Sequence, residues 1–243
     1  MSAARYTPAM SESAEPLSVN GLVMPRDFPV ASFEAVQRRI QPFAQTQNDL
    51  YIHFAGAWNA ISYRYLSLVD DGETFTGSLK KHGSSPPAVE RYNQERALFG
   101  FFSNGFSVFE AFFYGMFAIG ALVKPTLFPL TTAADQQRVT PARTIDAYSR
   151  AFPGDAIVAS MSGIYGDNAF KEYREIRNVL THRSAPGRTF FLSIGSAEAP
   201  ASQWKIRNIP LDESMASTRR AHVSMLLLRA LDATRDFTDR TFS

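Results

Sequence analysis

Apolar residues recur at intervals of three and four through most of this chain, the period of amphipathic helices, and two-residue alternation is confined to one short stretch. Ser32, as N-cap, opens a first helical run to about Leu68, with Phe33, Val36, Ile40, Phe43, Leu50, Phe54, Trp58, Ile61 and Tyr65 at apolar positions and a bend near Pro42. Asp70 to Pro87 reads as a polar loop, with Asp70-Asp71-Gly72 and Lys80-Lys81-His82-Gly83 in it. Pro87 suits the first turn of a second long helix, which ends before Pro125. Pro141 to Ala151 is a short helix, another follows Pro153-Gly154, and a third runs from Gly166 to Arg183, with Asp167 as N-cap and Pro186-Gly187 as the stop. Thr189 to Ile194 and Trp204 to Ile209 read as two strands of a hairpin. Asp212 or Ser214 caps a last helix to about Phe237. No internal repeat is evident, nor heptads sustained enough for a coiled coil.

These elements predict an all-α fold, an antiparallel helical bundle with an N-terminal helical extension and a small β-hairpin before the last helix. Residues 1–30, rich in Ser, Ala and Pro, read as a flexible arm and lack the charged and apolar regions of a secretory signal. Residues 31–86 read as the helical extension and 87–243 as the main helical domain.

Composition narrows the function classes. A net charge of +2 with pI near 8.9 is too mild to argue for nucleic acid by itself. With no cysteine, disulfides, thiol nucleophiles and cysteine-based zinc sites are excluded. Ala97 to Val123 carries one charge, Glu110, and is long enough to span a bilayer. Ser103, Asn104, Ser107 and Glu110 near its centre weigh against that, since a charge at mid-bilayer costs about 2.5 kcal/mol or more. It reads instead as the buried helix of a soluble, cytoplasmic bundle, with no membrane partner. The P-loop, Rossmann, H-E-x-x-H and G-x-S-x-G patterns are absent, so no metal or cofactor is expected.

Candidate chemistry concentrates in Arg177-Asn178-Val179-Leu180-Thr181-His182. An imidazole moves the proton of a 2′-hydroxyl or of the leaving oxygen near neutral pH. A guanidinium holds the phosphate by two hydrogen bonds and stabilises its developing charge. Asparagine orients the phosphate or fixes the imidazole tautomer. Together they supply what RNA cleavage needs without a metal. In an ideal helix Arg177 and His182 lie about 140° apart, so they converge only if the helix ends near Thr181 or the arginine curls round.

This motif, the apolar helix Phe99 to Tyr114 with an acid in its middle and the closing apolar helix together resemble the HEPN family of helical bundles over roughly residues 87 to 240. That resemblance implies a homodimer in which two motifs face each other and form one metal-independent, RNA-cleaving site that leaves cyclic phosphate ends. It also implies a toxin or antiviral effector, held silent by a protein partner or by conformation. Other members of the family are inactive binding or structural modules. The hairpin between motif and last helix departs from the simplest form of the bundle.

Each site residue also has a purely structural reading. His182 at a helix C-terminus can complement the helix dipole or cap a carbonyl. Arg177 can partner a buried acid, and Glu110, set among Phe106, Phe109, Phe112 and Phe113, is the acid expected beside Arg177 or His182. Lys171, Arg174, Arg177, Arg183 and Arg188 make the region locally basic against Glu172 and Glu175, either as a surface for an RNA backbone or as a solvated helix face. Arg174 and Arg183 are thus supporting candidates beside the catalytic candidates Arg177, Asn178 and His182.

Overall fold

The fold is known from a computed structural model that describes residues 17–182, 186–189 and 203–242. Two helices, α3 (Asn48–His82) and α4 (Ala88–Val123), form its axis. Buried positions on α3 alternate at spacings of four and three: Phe54, Trp58, Ile61, Tyr65, Leu68, Gly72, Phe75 and Leu79. On α4 the same alternation runs through Leu98, Phe101, Gly105, Val108, Phe112, Gly115 and Ile119. This spacing of four and three marks the seam between the two helices. Glycines at three seam positions, and the apolar remainder of α4, hide the period in the sequence.

Those glycines are where large side chains enter. A Cβ on Gly105 would meet Tyr173 at 2.5 Å and Leu68 at 3.2 Å; on Gly115 it would meet Trp58 at 3.2 Å, and on Gly72, Phe101 at 3.1 Å. The Gly72–Phe101, Leu68–Gly105 and Trp58–Gly115 contacts share one antiparallel register. The chain stays helical through His82, where a polar loop was expected from Asp70. Val69, Gly72, Phe75 and Leu79 continue the buried stripe, and Gly83 ends the helix at a φ of 67°.

Before this pair lie α1 (Val30–Ile40) and the single turn α2 (Phe43–Thr46), with Pro42 at the break. After it come α5 (Ala133–Gln137), α6 (Pro141–Ala151), α7 (Ala156–Gly166) and α8 (Asn168–His182). The last helix, α9 (Glu213–Thr241), starts at Asp212, whose carboxylate accepts from the Ser214 and Met215 amides. It packs on α1, α3 and α7, while α6 and α8 pack on α4. One continuous core therefore joins residues 31–86 to the rest, and Trp58 Nε1 donates to the Phe33 carbonyl at 3.1 Å within it.

Ahead of α9, β3 (Arg188–Thr189), β4 (Gln203–Ile206) and β5 (Ile209–Pro210) form a small antiparallel sheet in that order. The expected strand end at Ile194 lies outside the described residues. A second hairpin, β1 (Ser18–Val19) and β2 (Leu22–Val23), turns at Asn20-Gly21 with both φ positive. Val19, Met24 and Phe28 behind it are buried, so the arm expected through residue 30 is anchored from there on. Among the described residues α4 alone is long and apolar enough to cross a membrane, and 78% of its apolar window is buried in the bundle.

Gly105→Ala should destabilise the protein by about 1–3 kcal/mol, because Tyr173 and Leu68 leave no room for a methyl. Gly56→Ala, on α3 with open space around it, should instead stabilise by about 0.5–1 kcal/mol. Thermal unfolding of the two variants checks the pair, and equal melting temperatures would contradict the packing described here.

Candidate functional site

The Asp167 carboxylate starts α8 by accepting from the amides of Ala169 at 2.7 Å and Phe170 at 3.3 Å. Phe170, Tyr173 and Ile176 form its buried stripe. Phe170 meets Phe106 and Phe109, each at 5.5 Å between ring centres, and Tyr173 lies 5.2 Å from Phe102. Burial raises the Tyr173 hydroxyl pKa well above its usual value.

The stripe fixes where the polar side chains go. Arg177 lies half-buried with its guanidinium 5.5 Å from the Phe106 ring centre, and its Nη1 donates to Asn178 Oδ1 at 3.4 Å. Phe106 is also the ring over Phe170, two turns earlier on α8, so Arg177 reaches back toward the start of the helix. Arg174 turns to α7 and donates from Nη1 to the Tyr165 hydroxyl at 3.3 Å. His182, the last helical residue, is exposed and makes no hydrogen bond among the described residues. The helix ends at His182, one residue past Thr181, and the Thr181 hydroxyl donates to the Arg177 carbonyl at 2.7 Å in the last turn. Arg177, turned to Phe106 and Asn178, makes no hydrogen bond with His182.

No family model, curated protein or solved structure matches this chain. The site therefore rests on its own geometry.

Two expectations about that geometry are corrected. Glu110 forms no ion pair with Arg177 or His182. It is only half-buried, accepts from the Ser107 hydroxyl at 3.0 Å and opens into a cleft of about 390 Å³ shared with Arg64, Tyr114 and Thr140. A carboxylate that keeps solvent needs no cation beside it. The basic surface is also smaller than the sequence suggests. Arg188 is withdrawn from it, while the acids that would offset the rest are taken up elsewhere, Glu172 by Arg219 at 2.6 Å and Glu175 by Arg207 at 2.5 Å. Arg183 lies outside the described residues. Among the described residues no three His, Asp or Glu side chains could hold a metal ion.

Arg188 is instead a clamp. Its side chain is 4% exposed and stacks 3.6 Å from the Trp204 ring centre. Nη1 donates to the Ser84 carbonyl at 2.6 Å and to Gln94 Oε1 at 3.0 Å, and Glu95 lies 3.7 Å from Nη2. Burial lowers its pKa, and the Glu95 charge opposes that shift. The segment that leaves the motif helix is thus tied to the α3–α4 turn. No hydrophobic period marks such a residue, and only its tryptophan partner across the strand pair offers a hint in the sequence.

Arg188→Ala should cost about 3 kcal/mol, because it strands the Gln94 side chain and removes the stacked cation. Arg188→Lys should recover less than half of that, since a single ammonium cannot reproduce the planar fork. Chemical denaturation of the three proteins measures this, and a wild-type midpoint for Arg188→Ala would remove the clamp.

Proposed function

We propose that the chain is a HEPN-type, metal-independent endoribonuclease whose active site forms between two copies. In this reading Arg177 binds the scissile phosphate, His182 transfers protons and Asn178 orients the phosphate or the imidazole. Arg174 and Lys171 extend the basic surface that the RNA backbone follows. The observation that carries the reading is the position of His182, exposed at the last residue of a helix whose preceding turn carries Arg177 and Asn178. An exposed imidazole is free to work on a substrate held by another chain. Because Arg177 and His182 share no hydrogen bond within one chain, the reading takes the productive pair from two. A toxin or antiviral effector acting in the cytoplasm, restrained by an inhibitory partner, is the biological role that fits such an enzyme.

A second reading, a catalytically inactive helical module for dimerisation or protein binding, is favoured by the contacts of Arg177. Arg177 spends its contacts on Phe106 and Asn178, as a structural arginine would.

One experiment separates the two. Wild type, Arg177→Ala, His182→Ala and a refolded mixture of the two variants are incubated with mixed RNA in EDTA, and product ends are read. The ribonuclease reading expects cleavage by wild type with cyclic phosphate ends and none by either variant. The mixture should recover about a quarter of wild-type activity, because half of its dimers regain one complete Arg–His pair. Cleavage by His182→Ala at the wild-type rate would sink the assignment, and a folded wild type that cuts nothing would favour the inactive module.

A further inference from the structure

The cavity between α3 and the first half of α9, about 650 Å³, is lined by none of the motif residues and is independent of the reading above. Its size is that of a small-molecule site. The floor is apolar: Leu68, Val69, Gly72, Phe101 and Ala216 are all buried. Two ion pairs cross its mouth, one at each end. Lys80 lies 4.0 Å from Glu213, and Arg220 Nη1 lies 3.7 Å from Glu73. On each helix these positions are two turns apart, so the ends of the cavity are separated by about 10 Å.

The two ends are not electrically balanced. Asp27 takes the Arg220 guanidinium in a two-point contact, at 2.8 Å from both Nε and Nη2, and neutralises it. Among the described residues neither the Glu73 nor the Glu213 carboxylate accepts a hydrogen bond, and Lys80 is 63% exposed on a flexible stem. One end of the apolar trough therefore keeps an uncompensated carboxylate, Glu73, and the other holds Glu213 against a single exposed ammonium that a ligand's ammonium can replace. Gly77 adds a further observation. It lies mid-helix on the cavity wall, where glycine costs about 1 kcal/mol against alanine, and nothing lies within 4 Å of the position its Cβ would take. No packing contact asks for glycine there, and a side chain would fill the trough.

We propose that this cavity binds a linear aliphatic diamine or polyamine. The terminal ammonium groups meet Glu73 and Glu213, and the methylene chain lies over Phe101 and Ala216. The apolar floor matches the methylenes, the carboxylates favour cationic over anionic chains, and their separation selects length.

Isothermal titration of the full chain with diaminopropane, diaminobutane, diaminoheptane and diaminodecane tests this, with heptylamine and the diacid suberate as controls. Affinity should rise about two- to fourfold per added methylene until the chain spans the cavity. Diaminoheptane should exceed heptylamine, and suberate should not bind. Glu73→Gln and Glu213→Gln should each weaken diaminoheptane about three- to fivefold, as expected of partly exposed ion pairs. Gly77→Leu should abolish binding while the melting temperature is kept or raised. Absence of binding by every amine, affinity that ignores chain length, binding of suberate as tight as that of the diamine, or an unchanged affinity for folded Gly77→Leu would each overturn the proposal.

Discussion

The structure depends on large side chains entering glycine positions across the α3–α4 pair. Helix axes approach closely only where one side supplies no Cβ, and Trp58, Leu68 and Phe101 each meet such a place. Gly105 serves twice, since Tyr173 of α8 enters the same gap as Leu68 of α3. The register of the axial pair and the seat of the motif helix are thus decided at one residue. With Tyr173 fixed there, Phe170 falls on Phe106 and Phe109, and Arg177 is left over the edge of that aromatic group.

A single consequence runs from this packing to the chemistry. The arginine is drawn toward the aromatic surface of α4 and away from the helix C-terminus, while the histidine stands in solvent. Among the described residues no hydrogen-bond partner orients the imidazole. The Arg188–Trp204 stack holds β3 against the α3–α4 turn.

Much of the architecture was legible in the sequence because it follows from local rules. Pro87, Pro141, Asp167 and Asp212 mark helix starts that the structure keeps, and the helical bundle with a small sheet before its last helix follows from their spacing. What escaped was written in residues without a hydrophobic signature. Gly72 belongs to a buried stripe yet resembles a turn residue beside Asp70-Asp71, which is why the last turns of α3 read as a loop. Asn20-Gly21 is a hairpin turn, hidden in a segment whose composition suggests an arm. For the candidate site, residue identity and helix placement were legible, but direction was not. Which way Arg177 leans depends on Phe106, some seventy positions earlier in the chain, and Glu110 does without a cation because its cleft is open.

The contacts between the first and last helices carry a further implication. Ser32 bonds Asp232, Arg39 bonds Asp239, and Asp27 holds Arg220, so the opening segment of the chain is finished by residues made some two hundred positions later. During synthesis α3 and α4 can zip together as neighbours while they emerge and α1 can meet α3 through Phe33 and Trp58, but the contacts of α1 with α9 must wait until the last helix is made. The long helical hairpin is an early product of translation and the closing of the termini a late one. In that interval the part of the face of Phe33, Val36 and Ile40 that the last helix covers stays open to water.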